Sequence, residues 1–188
     1  MTRQTLRDPA TLNDAEKAEY RVFTNTREAK PDGSLGGPFD VWLLNPELSH
    51  RLRGLGGMLW ERTSLDRGLV ELAICIAGRV WEANYEWYAH EPRAVQYGIP
   101  QTVMDDVKAL KRPSGTPEQV LVYDVCISMF QSNRLPRRLY DSAVATIGER
   151  GLAEVMAIIG FYTIVSFTLN AFEVQVPEGV QAPFLRED

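Results

Sequence analysis

The chain contains few cysteines, few histidines and no cluster of basic residues, and each shortage excludes a class of function. Its two cysteines, Cys75 and Cys126, form no Cys-x-x-Cys pair and lie in apolar runs, so we expect buried free thiols. The 20 lysines and arginines are outnumbered by 25 acids, and the densest basic groups are pairs. Because neutralising phosphates requires a basic face, we expect no nucleic-acid partner.

The chain also lacks an apolar segment within its first twenty residues, which argues against a secretory signal and favours the cytoplasm. The stretch 155–172 is free of charged residues over eighteen positions, long enough to suggest a membrane span. However, it contains glycine, serine, threonine and asparagine, and Glu154 and Glu173 flank it where a span would have basic residues. We therefore expect a helix buried in the fold or in a subunit interface, with no membrane partner.

No stretch shows the sustained alternation of a β-strand bounded by hairpin turns, and nearly every segment has helical signals. Asn13-x-x-Glu16 fits a capping box, which predicts a helix to about residue 28. Asn45 followed by Pro46 predicts another start, with one apolar stripe formed by Leu48, Leu52, Leu55 and Leu59. The chain is therefore predicted to be a single all-α domain over residues 1–188, with seven or eight helices.

Signals that end helices divide the second half of the chain. Gly98 is predicted to end one helix, Pro100 to start the next, and Thr116 to cap a third. A further helix is predicted to run to Arg150 and to stop at Gly151, and residues 177–188 are predicted to form a terminal tail.

Residues 71–90 contain the strongest chemical signal. Glu82, Glu86 and His90 are four residues apart, so on one helix their side chains would share a face. A carboxylate one turn before a histidine can orient the imidazole and favour its protonated form, as acid–base catalysis requires. The alternative is a surface ion pair. Aromatic neighbours favour a cavity wall instead, namely Tyr85, Trp87 and Tyr88.

Glu71 lies within an apolar run, where a charge is costly unless it has a partner, although the polar edge of a helix would also accommodate it. The acids and His90 could also ligate a metal. Di-iron bundles use Glu-x-x-His on two helices, whereas Glu-x-x-x-His occurs here once. We expect no metal and no other cofactor.

Glu71-Leu72 opens an apolar run, and a later segment ends in His90-x-x-x-Ala94-x-x-x-Gly98. This order resembles the core of the carboxymuconolactone decarboxylase family, which includes the alkylhydroperoxidase D-type peroxidases. The peroxidase branch has Cys-x-x-Cys-x-x-x-His, and here Ala83 and Glu86 occupy the two cysteine positions. Without the dithiol its redox cycle cannot run. The glutamate resembles the decarboxylase branch instead.

The resemblance implies an alkylhydroperoxidase D-like bundle that assembles as a trimer or hexamer. It implies a cofactor-independent lyase for a small carboxylated lactone or related organic acid, with His90 as acid–base, Glu86 holding it and Glu71 supporting the site. Residues 152–172 resemble the closing helix of the family. Four residues are expected to contact substrate, namely Glu82, Trp87, Tyr88 and Tyr162.

Two alternatives remain at this point. One is a peroxidase relative, and the other is a non-catalytic helical oligomer that binds an apolar ligand. Residues 1–45, an N-terminal extension, and about 112–150 exceed the minimal family core, so the pocket walls are expected to differ.

Overall fold

A computed structural model describes residue 3 and residues 8–184 of the protein. Within these residues the chain forms eight α-helices and no strand, which confirms the predicted all-α class. Their bounds, in chain order, are α1 Asp14–Thr24, α2 Phe39–Trp42, α3 Pro46–Glu61, α4 Arg67–Val80, α5 Asn84–Gln96, α6 Gln101–Lys108, α7 Pro117–Ser132 and α8 Arg137–Ala171.

Helix α4 is the centre of the fold, and it packs against α5, α7 and α8. Every residue from position 68 to position 78 is buried. Leu72, Ile74 and Ile76 are almost completely removed from solvent, and such burial stabilises the fold by roughly 1.5–3 kcal/mol for each large apolar side chain. Glu71, on the same buried helix, is a charged residue among these apolar side chains.

The predicted helix starts are confirmed. Asn13 forms a capping box with Glu16, and the Asn45 side chain accepts from the backbone of Leu48. Thr116 forms a second capping box. Gly98, at φ +91°, follows α5 and donates from its backbone to Val95, the left-handed ending that glycine permits.

Two predicted helix ends are wrong. Helix α1 ends at Thr24 instead of about residue 28. In α8 the interruption lies at Gly148, where φ is 73° and ψ is 165°, and Gly151 is helical and buried. Only glycine adopts that backbone conformation readily, which fixes the break at Gly148. A Cβ at Gly151 would lie 3.0 Å from Ile147 and 3.1 Å from Leu65, so this glycine serves close packing.

The predicted leucine stripe on α3 is only half buried. Leu52 and Leu59 lie in the core, whereas Leu48 and Leu55 are exposed. The buried face is rotated towards Ser49, whose hydroxyl donates to Glu19 of α1. The polar contact between α1 and α3 therefore replaces the apolar one that the leucine spacing predicted.

Helix α8 is long and apolar enough to cross a membrane by length and composition alone, with a mean hydropathy of 1.8 in its most apolar eighteen-residue window. Half of that window is buried inside the protein. A core helix of a soluble protein passes the same test, so this feature is weak evidence for a membrane.

Both cysteines are buried and free, as predicted. Burial raises the pKa of each thiol, and the negative charge of Glu71 adds to this effect at Cys75. Neither thiol therefore ionises readily enough to act as a thiolate nucleophile.

The two ends of the described chain pack on the bundle. Trp42, in the N-terminal extension, lies with its ring centroid 6.3 Å from that of Phe161. In the tail, the Phe184 backbone donates to Asn84 Oδ1 at 2.7 Å, and its ring meets Trp87. Of the predicted extension and tail, residues 1–2, 4–7 and 185–188 lie outside the described residues.

Candidate active site

The site is built around a hydrogen bond between α4 and α5. His90 Nδ1 lies 2.6 Å from Glu71 Oε2, and Glu71 is completely buried. A carboxylate only accepts hydrogen bonds, so Nδ1 carries the proton and donates it. The second ring nitrogen, Nε2, is therefore the one that remains for chemistry.

Glu71 is held in place by two further donors. Trp60 Nε1 and an Arg67 guanidinium nitrogen each donate to Glu71 Oε1 at 3.0 Å. The Arg67 guanidinium also lies 3.7 Å from the Trp60 ring centroid, a cation–π contact. These contacts explain how the core accommodates a carboxylate. Sequence reasoning did not select Trp60 or Arg67, although Arg67 precedes Glu71 by one helical turn.

Glu86 lies on the other side of the imidazole. Its Oε1 is 3.2 Å from His90 Nε2, but the angles do not make a hydrogen bond, and this buried oxygen has no other partner within the described residues. Burial raises the pKa of Glu86, although the nearby His90 opposes the rise. The carboxyl that holds His90 by a hydrogen bond is therefore Glu71, whereas Glu86 was predicted in that role.

Tyr162 of α8 completes the cluster. Its ring meets that of His90 edge to face, with centroids 5.4 Å apart. Burial, together with Glu86 and Glu71, raises the pKa of Tyr162 well above its usual value, so the side chain stays a neutral phenol. Its hydroxyl has no hydrogen-bond partner in the part of the chain that the structure describes, which leaves a donor available for a ligand.

Two hydrogen bonds connect helix α8 to the turn between α4 and α5. Trp81 Nε1 donates to the Thr163 hydroxyl at 3.0 Å, and Asn170 Nδ2 donates to the Trp81 carbonyl at 2.6 Å. These bonds place Tyr162 next to His90. The predicted residues that the structure brings together are therefore Glu71, Glu86, His90 and Tyr162.

Three other predicted residues lie elsewhere. Glu82 precedes α5, has φ +49° and contacts Arg79 at 3.3 Å, so it does not share the helix face of His90. Helix α5 begins only at Asn84, so Glu82 lies outside it. The spacing of four residues between Glu82 and Glu86 therefore does not place their side chains on one helix face. Trp87 and Tyr88 line a separate cleft of about 320 Å³ that includes neither His90 nor Glu86. Trp87 and Tyr88 follow Glu86 directly, and neighbouring positions on a helix point in different directions, so these two side chains face the cleft and not His90.

The arrangement can hold and move a proton. Glu71 fixes the proton on Nδ1, while Nε2 and the Glu86 carboxyl, 3.2 Å apart, lie close enough to exchange a second one. We call Glu71, His90 and Glu86 the acid–histidine cluster. Among residues 8–184, no group of three histidine, cysteine or acidic side chains is placed to hold a metal ion.

Solved structures share this fold. An uncharacterized peroxidase-related protein from Ralstonia eutropha JMP134, described as an alkylhydroperoxidase AhpD core, has a TM-score of 0.76 and 15% identity over 94% of this chain and 93% of that one. A peroxidase-related protein from Silicibacter sp. TM1040 gives 0.75 and 13% over 93% and 91%. A cysteine-to-alanine variant of the debrominase Bmp8, in complex with 2,3,4-tribromopyrrole, gives 0.66 and 15% over 97% and 96%.

No family model matches the sequence, and no curated protein matches it. At identities this low, the likeness establishes the fold alone, which is that of the alkylhydroperoxidase D-like proteins.

Proposed function

We propose that the protein is a cofactor-independent lyase that decarboxylates a small carboxylated lactone or related organic acid. The observation that carries the proposal is the buried acid–histidine cluster, in which Glu71 fixes His90 and Glu86 Oε1 has no hydrogen-bond partner within the described residues. A buried, unpartnered carboxyl is costly, and groups with perturbed pKa values of this kind cluster at catalytic sites.

In the proposed reaction, the bond between the ring carbon and the carboxylate breaks and carbon dioxide leaves. The electron pair passes into the conjugated lactone, whose carbonyl oxygen takes up negative charge. Tyr162 is a neutral donor beside His90 and can stabilise that oxygen. The proton shared by His90 Nε2 and Glu86 then adds to carbon, and solvent restores it.

Thiol-based peroxide reduction is the less favoured alternative. The positions that would hold the redox cysteines are Ala83 and Glu86. The thiols of Cys75 and Cys126 are buried, and burial raises the pKa of each. Neither can supply an exposed thiolate.

The test is a decarboxylation assay with 4-carboxymuconolactone and related carboxylated lactones. We expect carbon dioxide release and incorporation of one solvent deuterium into the product in D₂O. His90→Gln should lower the rate at least about a hundredfold. If the wild-type protein binds these lactones without releasing carbon dioxide, the non-catalytic alternative is correct. Peroxide turnover with added dithiol would instead establish the peroxidase alternative.

We also propose that the protein is a homo-oligomer. Exposed apolar side chains lie on the outer faces of α3 and α8, where a monomer would leave them in water, namely Leu48, Leu55, Ile164 and Phe167. Light scattering at micromolar concentration should give three or six times the chain mass of 21.2 kDa. Phe167→Glu should lower that mass, and a monomeric wild type would contradict the proposal.

A further inference from the structure

Arg67 is partly buried, and three side chains surround its guanidinium group. One guanidinium nitrogen donates to Glu71 Oε1 at 3.0 Å, and the guanidinium carbon lies 3.7 Å from the Trp60 ring centroid and 5.5 Å from that of Tyr97. A Cβ added at Gly68 would lie 2.7 Å from the Tyr97 carbonyl oxygen, so the glycine next to Arg67 permits this close approach. The guanidinium is therefore held in one place, beside a completely buried carboxylate.

This placement leaves one donor of Arg67 without a partner. Its Nε–H is buried and has no acceptor within the described residues. A buried donor without a hydrogen bond destabilises a folded protein, and an uncharged side chain at this position would avoid that cost. The presence of a guanidinium here favours a role that depends on its positive charge.

Three donors reach the Glu71 carboxylate, and they differ in charge. Trp60 Nε1 and Arg67 donate to Oε1, whereas His90 Nδ1 donates to Oε2. An indole is always neutral and a guanidinium is always a cation, but an imidazole is a cation only when both of its nitrogens carry protons. Without Arg67, the cation left to balance Glu71 would be the imidazolium of His90. That form places a proton on Nε2, which then cannot accept one.

The other titratable groups around Glu71 and His90 do not replace Arg67. They are, helix by helix, Cys75 of α4, then Glu86, Glu91 and Arg93 of α5, and Tyr162 of α8. Burial raises the pKa of Cys75, Glu86 and Tyr162, which favours their uncharged forms. Among the described residues, Glu91 and Arg93 form no ion pair with either member of the Glu71–His90 pair. The cation in direct contact with Glu71 is therefore Arg67.

We propose that Arg67 is a positioning residue that sets the protonation of the site: as the permanent cation beside Glu71, it allows His90 to remain a neutral ring with a free acceptor at Nε2. Nδ1 keeps its proton for Glu71. The exchangeable proton then belongs to Glu86, whose pKa burial raises, and it can pass to Nε2 across 3.2 Å. Arginine suits this position better than lysine because its planar group stacks on aromatic rings while it donates to a carboxylate.

The assignment deepens the proposed function and rests on it for the reaction, but the protonation of the ring can be measured without a substrate. The test records the ¹⁵N chemical shifts of the His90 ring in the full chain at several pH values. His50 is the other histidine of the chain, so His50→Gln assigns the signals of His90. At neutral pH we expect the wild-type ring to carry one proton, on Nδ1. In Arg67→Met, the Glu71–His90 pair should take up a further proton at a pH roughly one to two units higher than in the wild type.

Three variants separate the charge of Arg67 from its other contacts. Trp60→Phe removes the neutral donor to the same oxygen but keeps an aromatic face for Arg67, and the His90 ring should behave as in the wild type. Arg53→Met removes an arginine that donates to the buried Glu19 at 3.0 Å, far from this contact, and it should also leave the ring unchanged. Arg67→Lys keeps the charge and should restore most of the wild-type behaviour.

Two sets of results would overturn the role of Arg67. An imidazolium in the wild type at neutral pH would do so without any variant, which covers the case in which Arg67→Met does not fold. Proton uptake at the same pH in the wild type and Arg67→Met would also do so. An equal shift in Trp60→Phe and Arg67→Met would show that the hydrogen bonds to Glu71 matter and that the charge does not.

The role of Arg67 and the lyase proposal can fail separately. If lactones are decarboxylated, the pH–rate profile of Arg67→Met should move to higher pH, as the ring does, and Arg67→Lys should move it back. If the ring behaves as expected but no lactone releases carbon dioxide, the role of Arg67 stands and the lyase proposal fails. If lactones are decarboxylated and neither the ring nor the profile responds to Arg67→Met, the role of Arg67 is wrong and the lyase proposal stands.

Discussion

Glu71→Gln is expected to lower the rate of lactone decarboxylation by roughly 100- to 10,000-fold. Trp60 and Arg67 both donate to Glu71 Oε1, so the glutamine amide must place its oxygen there. Its NH₂ group then faces His90 Nδ1 and donates to it. The imidazole is forced to carry its proton on Nε2 and to accept at Nδ1, the opposite of the arrangement that Glu71 imposes.

The tautomer change can be observed directly from the ¹⁵N chemical shifts of the His90 ring. Glu19→Gln is the matched control, because Glu19 is also buried and accepts from an arginine, Arg53, at 3.0 Å, but on α1 and away from His90. Both variants should lose stability, whereas only Glu71→Gln should lose activity and change the ring tautomer. An active Glu71→Gln enzyme with unchanged ring shifts would remove Glu71 from the mechanism.

Glu86→Gln is expected to lower kcat roughly ten- to a thousandfold while making the protein more stable at neutral and alkaline pH. The loss of rate follows because glutamine cannot exchange a proton with His90 Nε2. The gain in stability follows because burial in the folded protein raises the pKa of Glu86 above its ordinary value of about 4.5. In the unfolded chain the side chain is in water, and its pKa returns to that ordinary value.

The direction in which stability changes with pH follows from proton linkage. Between the unfolded and the raised folded pKa of Glu86, the folded protein binds more protons than the unfolded chain, so its free energy of unfolding falls as pH rises. Glu86→Gln lacks this titration. Its stability relative to the wild type should therefore increase as pH rises above about 4.5, as measured by urea unfolding at several pH values.

Glu154 provides a control of opposite sign. Burial raises its pKa, but hydrogen bonds from Ser64 and the charge of Arg150 outweigh burial and lower it overall. Glu154→Gln should therefore lose stability relative to the wild type as pH rises through the acidic range, and it should keep its activity. A Glu86→Gln protein with wild-type kcat and no pH-dependent difference in stability would show that Glu86 is neither buried nor catalytic.

Local signals in the sequence determined where most helices begin. Asn13, Asn45 and Thr116 cap helices because their side chains satisfy backbone donors within three residues, and that chemistry needs no distant partner. The left-handed ending at Gly98 is local for the same reason. Glu71, Glu86 and His90 were also selected from the sequence, since charged residues in an apolar or aromatic setting require an explanation.

The tertiary structure decided which of these side chains meet and how. Spacing within one helix favoured Glu86 as the partner of His90 and placed Glu82 on the same face, but the hydrogen bond comes from Glu71, nineteen residues away on α4. Trp60 and Arg67, which fix Glu71, and Tyr162, which lies beside His90, are set by how α3, α4 and α8 pack. A sequence records spacing along one helix, whereas contacts between helices depend on their crossing and rotation, which only the packed core fixes.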